Sequence, residues 1–300
     1  MGTQVSYPGI YIQEFTPGAP IQGVGTSTAA FIGTASMGPV NQPTFITSWD
    51  EFQNVFGGFI NEAPNLGYAQ RSWLAPAVYG FFLNGGTGCY IVRAVKLPAG
   101  VTSLNASVNL DDAAANTELV ATAIVEGTIG NSISVTVNNS SRLASMLTAA
   151  GAGITKLTVP AALSAGQLTF QVTLPASPTT FVLGQALPPG ALINISHGGT
   201  HEDVTVASSG GNSITLASGL VNAYGAGAQV ASLEFDLVVT GATTETWAQL
   251  SMNPLHPGYW QSAVKSQMIT LSLPSTAPPA TPNPNPAAGG PFALTNGTDD

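Results

Sequence analysis

Phe45-Ile46-Thr47-Ser48-Trp49-Asp50-Glu51-Phe52-Gln53-Asn54-Val55-Phe56-Gly57-Gly58 is the stretch from which the fold is read. Ser48 and Glu51 stand in Ser-x-x-Glu spacing, which predicts a capping box at the start of a helix. Phe52, Val55 and Phe56 then fall on one face, and Gly57 supplies a left-handed stop. Before this short amphipathic helix lie Thr28-Ala29-Ala30-Phe31-Ile32-Gly33-Thr34-Ala35, read as a strand, and the turn Gly38-Pro39-Val40-Asn41-Gln42-Pro43. After it, residues 72–83 predict a second helix, with Trp73, Ala77 and Phe81 spaced four apart. Gly85, Gly86 and Gly88 end that helix, and an apolar strand runs over 89–95. Helices between strands imply a mixed sheet with crossover connections.

The same reading extends in both directions. Residues 7–13 alternate as an extended segment, bounded by Pro8-Gly9 and by Thr16-Pro17-Gly18-Ala19-Pro20. Such a strand must pair with a distant edge, in its own domain or in a neighbouring subunit. Residues 111–116 read as a surface loop, and 124–137 alternate around Gly127 and Gly130 with Ile133, Val135 and Val137 on one face. From 155 to 233 short β-prone runs (168–174, 192–195, 204–206, 214–216) are separated by Gly, Pro or Asn, which predicts an inserted all-β module. A strand returns at Glu234-Phe235-Asp236-Leu237-Val238-Val239, followed by a short helix near 259–265 and a strand at 268–273. Seven prolines between 274 and 291 predict a stiff linker without its own core.

Composition limits the function. Only 7% of the 300 residues are charged, 44% are hydrophobic and 34 are glycine, so the chain needs deep burial or extensive subunit contacts. Six Lys and Arg against a net charge of -9 leave no basic stripe for a phosphate backbone, which argues against nucleic-acid binding. No apolar run is long enough for a transmembrane helix, and the start lacks a secretory signal pattern. The single Cys89 reads as a small buried thiol.

Three constellations carry residue types capable of chemistry. Gly85-Gly86-Thr87-Gly88 follows a helix and precedes a strand, the reverse of a phosphate loop, so it reads as a helix stop. His197-Gly198-Gly199-Thr200-His201-Glu202-Asp203 gathers zinc-type ligands, but Gly198-Gly199 predicts a two-residue hairpin with the histidines on different strands, so the favoured reading is an exposed polar turn. Glu234 and Asp236 share one strand face and read as solvated. No nucleophile elbow or His-Glu-x-x-His motif is present. The expectation is no catalytic residue, no metal site and no cofactor.

The blocks quoted above, with Tyr7-Pro8-Gly9-Ile10-Tyr11-Ile12-Gln13-Glu14 upstream and Ala77-Val78-Tyr79-Gly80-Phe81-Phe82-Leu83-Asn84-Gly85-Gly86-Thr87-Gly88-Cys89-Tyr90-Ile91-Val92-Arg93, resemble the amino-terminal half of contractile tail sheath proteins of bacteriophages, R-type bacteriocins and phage-like injection systems. Residues 234–254, through Glu245-Thr246-Trp247 and Leu250-Ser251-Met252, resemble the segment that re-enters the first sheath domain. The resemblance implies an α+β fold: a mixed-sheet sheath domain over 21–154 and 234–273, interrupted by an all-β insertion domain at 155–233. It implies an extended N-terminal strand arm (1–20) in which residues 7–14 link to a neighbour and Pro17, Gly18 and Pro20 form the hinge. Residues 274–291 would be the linker, and 292–300 would open a carboxy-terminal sheath domain that is missing. The implied function is a structural subunit, stacked as hexameric rings around a tail tube and contracting to drive it into a target cell. The implied partners are itself, the tube protein, and baseplate and terminator proteins, with no nucleic acid and no membrane insertion. The implied place is a virion tail or phage-like particle assembled in the bacterial cytoplasm. The rival from another class is a secreted β-rich carbohydrate-binding or adhesion module using 155–233.

Overall fold

Ser48 caps the first helix as its sequence requires, its hydroxyl accepting the Glu51 amide at 3.1 Å. In this computed structural model, which describes residues 28–60, 72–95, 105–176 and 180–298, the reciprocal half of the box is displaced by one residue. The Glu51 carboxylate accepts from the Thr47 amide and hydroxyl, each at 2.8 Å, instead of from the Ser48 amide. Those two bonds, the backbone one first, hold the Glu51 carboxyl below its ordinary value. The arm residues 7–14 and the hinge at Pro17, Gly18 and Pro20 lie outside the described residues.

The first module comprises β1 (Ala29–Gly33), β2 (Thr44–Ile46), α1 (Trp49–Phe56), α2 (Leu74–Leu83) and β3 (Cys89–Arg93). Its sheet has the order β1-β3-β2, with β1 parallel and β2 antiparallel to β3. Phe52 and Phe56 of α1 pack with Ile46, Val78, Cys89 and Ile91 in one apolar cluster. The stripe expected along α2 is shifted. Leu74, Ala75 and Val78 face inward, whereas Trp73 precedes the helix and Ala77 is exposed. The cause is close packing on β1: a Cβ at Gly33 would lie 3.0 Å from the Leu74 Cβ, so Leu74 sits directly over that glycine.

The chain continues through β4 (Asn105–Asp111), β5 (Thr117–Glu126), a 3-10 turn at Thr128–Ser132 and β6 (Ser134–Ser140). It then passes α3 (Arg142–Ala149), β7 (Leu157–Thr158), β8 (Thr169–Gln171), α4 (Leu183–Ala186), β9 (Leu192–His197), β10 (Thr200–Gly210), β11 (Ser213–Leu216) and β12 (Gln229–Ser232). Strands β7 to β12 form a six-stranded antiparallel sheet in the order β7-β12-β9-β10-β11-β8. Thr173, just past β8, donates its amide to the Thr158 carbonyl at 2.8 Å, joining the two edges of the sheet. The strands therefore curl into a small barrel, which leaves no long unpaired edge. Its core holds Leu157, Ile193, Ile195, Val206, Ile214 and Val230, and it also takes Leu143 and Leu147 from α3. Helix α3, which the sequence reading did not identify, thus packs with the barrel and not with the residues before it.

The remaining elements are β13 (Glu234–Thr240), β14 (Thr244–Leu250), α5 (Trp260–Ala263), β15 (Ile269–Ser272) and β16 (Gly289–Ala293). Glu245-Thr246-Trp247 lies within β14. Sheets β14-β13-β6-β16 and β15-β5-β4 enclose a second core of Val135, Val137, Leu237, Val239, Leu119, Ala121 and Ile269. The described residues 28–60 and 72–95 share neither this core nor either sheet, so among the described residues the mixed-sheet domain expected over 21–154 and 234–273 divides into two apolar units. The buried Arg93 ties them, donating from Nε to the Ala35 carbonyl at 2.9 Å and from Nη1 to the carbonyls of Gly38 at 2.9 Å and Glu126 at 3.4 Å.

The proline-rich segment is held along its path. Asn285 Nδ2 donates to the Leu233 carbonyl at 3.1 Å and the Ala287 amide to the Asp111 carbonyl at 2.8 Å. Strand β16 then pairs with β6, Leu294 enters the second core, and Thr295 bridges Ser107 on β4. Residues 292–298, the described part of the segment 292–300 expected to open another domain, join the sandwich. Helices and sheets are both present, with the helices set apart from most strands, which is an α+β arrangement. No helix among the described residues is long and apolar enough to cross a membrane.

Candidate functional site

Alternation in the first sheet sends Cys89, Ile91 and Ile46 toward the helices and Ala30, Ile32, Phe45, Tyr90 and Val92 to the other face. The register places Ala30, Tyr90 and Phe45 side by side, with Ile32 next to Val92. Phe45 and Tyr90 have ring centroids 5.1 Å apart. Every side chain on this outer face is uncharged, yet Ile32 is 72% exposed, Phe45 47% and Tyr90 44%. A second aromatic group flanks the helices: the Trp49 ring lies 5.0 Å from Phe59 and 5.1 Å from Tyr79, and Trp73 is also exposed. Phe59 and Tyr79 also meet, with centroids 5.6 Å apart, so Trp49, Phe59 and Tyr79 form one aromatic cluster. Behind the sheet, burial pushes the Cys89 thiol up, which disfavours the reactive thiolate.

The histidine hairpin is built as its glycines require, with Gly198 at φ 58 and Gly199 at φ 90. His197 pairs with Thr200 and His201 with Ser196. Adjacent registers point to opposite faces of the ribbon, so the two imidazoles diverge. Glu202 accepts from the amides of Val221 at 2.8 Å and Asn222 at 3.1 Å, and Asp203 accepts from Asn194 Nδ2 at 2.6 Å. Among the described residues, no group of three His, Cys, Asp or Glu is placed to hold a metal. The run Gly85 to Gly88 lies between α2 and β3; Gly85 takes a left-handed backbone at φ 88, and a Cβ at Gly86 or Gly88 would run into the Phe81 or Phe45 ring.

Glu234 departs from its expected solvated face. It is 3% exposed, at the neck where the chain leaves β6 and returns into β13, whose first residue pairs with Ser140. Its Oε2 accepts the Arg142 amide at 2.6 Å and the Ser232 hydroxyl at 2.7 Å. Ser232 Oγ also accepts the Leu143 amide at 3.0 Å, so the start of α3 is fastened to the end of the barrel. Asp236 instead accepts the Gln249 amide at 2.8 Å, so the two carboxylates do not act as a pair. The neck was missed because its partners are far apart in sequence; the N-cap Ser141 was the one local signal for it.

A cleft of about 1050 Å³ opens beside this neck, between barrel, sandwich and residues 281–288. Its carboxylates belong to Asp112, Glu202, Asp203 and Glu234, and all accept bonds from the protein itself. Asp112 is held below its ordinary value, first by the Asn116 side chain and then by its amide. Nothing here arranges a nucleophile against a base.

No protein-family model matches the chain, and no curated protein matches it. Among solved structures, a sheath tail protein of Listeria innocua is similar at 17% identity, over 64% of this chain and 34% of that one, with a TM-score of 0.24. The chain thus spans about a third of the length of that protein.

Proposed function

We propose that this chain is a structural, self-assembling subunit of a contractile tail sheath. The observation that carries this reading is the uncharged outer face of the first sheet, with Ile32, Phe45 and Tyr90 exposed in a chain with 7% charged residues. Contiguous apolar surface of this kind is covered in the working state of a protein. The resemblance of the sequence blocks around it to sheath proteins supports the family part of this reading. On this reading subunits stack as hexameric rings around a tail tube and contraction drives the tube into a target cell, in a phage tail or phage-like particle. Residues 7–14 add a strand to a neighbour, with the hinge at Pro17, Gly18 and Pro20. Tube, baseplate and terminator proteins are the other partners, and contraction is a rigid-body exchange between two packings without catalysis.

Negative-stain microscopy of native particles labelled with an antibody against residues 155–233 tests the assignment. Labels repeating along a striated tube are expected. Labels confined to fibres or free protein would sink it. Ile32→Asp in the purified chain should leave the fold intact by circular dichroism and reduce self-association in sedimentation velocity.

A further inference from the structure

The Oε1 atom of Glu234 faces His256 Nε2 at 3.6 Å, and both side chains are buried. Neither atom has a hydrogen-bond partner among the described residues. On the other side of the ring, His256 Nδ1 accepts the Gly258 amide at 3.0 Å. Nδ1 therefore carries a lone pair and the ring proton resides on Nε2. The turn that carries this ring, residues 253–258, lies against the barrel: a Cβ at Gly190 would sit 2.9 Å from the His256 amide nitrogen.

We propose that the 253–258 turn is a proton-operated catch between sandwich and barrel. A second proton on the imidazole would occupy Nδ1, where it meets the Gly258 N–H donor to donor, and that bond is lost. The same proton gives Glu234 Oε1 a cationic partner, which draws the ring toward β13. One arrangement fastens the turn on itself, with the His256 amide close beside Gly190; the other fastens it on Glu234. Two elements, β13 and α3, bring charged groups to the region of the His256 ring. Glu234 faces it from β13. Arg142 of α3 engages the Gln185 carbonyl at 2.8 Å and Gln249 Oε1 at 3.4 Å, and Asp236 of β13 holds the Gln249 amide. The carbonyl of that same Gln249 packs on Gly258, and Gly190 brings no charge from the barrel side.

Amide hydrogen exchange on the full chain, from about pH 8 to about pH 5, spans the range in which imidazoles change charge. Gly258 should lose protection by about tenfold per pH unit below the His256 transition, relative to Leu237 in β13, because one proton drives the change. His256→Asn should abolish the loss, since the Asn carbonyl accepts the amide two residues on and does not titrate. Glu234→Gln should shrink the loss, because the second arrangement then lacks its carboxylate partner. Unchanged protection of Gly258 in the wild-type chain across the range would overturn the catch, as would an identical transition in His256→Asn. The wild-type titration decides the matter if either variant fails to fold.

Discussion

Gly57 is the residue at which local sequence and packing agree most closely. It ends α1 at φ 89 while its amide donates to the Gln53 carbonyl, and a Cβ there would run into Ser36 Oγ. Gly57→Ala should cost about 1–3 kcal/mol from left-handed strain alone, read by urea denaturation. Glu118 is the opposite case, a buried carboxyl raised above its ordinary 4.5, first by burial and then by the charge of Asp112. Above 4.5 and up to its folded pKa, the native state holds more protons than the unfolded chain, so stability falls as pH rises through that window. Glu118→Gln should therefore exceed wild type in stability at pH 7, with the gap closing as pH falls toward 4.5, in denaturation curves taken at each pH. Ser48 and Gly57 were legible because a cap involves neighbours in sequence. Glu234 was not, because alternation gives its strand face but not the Arg142 and Ser232 groups that cover it.

At the scale of elements, α1, α2 and the Gly198-Gly199 hairpin followed from short-range chemistry, whereas α3 did not. Its apolar positions Leu143 and Leu147 come directly after the polar run Asn138-Asn139-Ser140-Ser141, which reads as the end of a strand. What buries its apolar face is the barrel core, and that partner surface comes later in the chain. Leu147→Ala should cost about 2–5 kcal/mol. Thermal unfolding followed by hydrogen exchange should show the loss concentrated in β9 to β12, with α1 and α2 little changed. The stripe on α2 was read one residue out of phase because Gly33, the surface on which Leu74 rests, belongs to a different element.

For the whole molecule, the number of cores is the lesson. Composition and the run of short strands pointed to an inserted β-rich region, but the closure through Thr158 and Thr173 and the return of residues 289–295 to β6 and β4 are pairings between distant strands. Periodicity says that a strand exists and is silent on its partner. A chain ending at residue 285 should keep the barrel and lose exchange protection along β6 on the side where β16 pairs, while β9 and β10 remain protected. The topology also orders events during synthesis. Strand β6 leaves the ribosome with neither of its neighbours made, and the whole barrel emerges before β13 follows, an interval on the order of ten seconds at usual elongation rates. The barrel, whose pairings all lie within the inserted region, has time to close first. On that order the sandwich is completed beside an already folded barrel, and its last strand is among the last residues described.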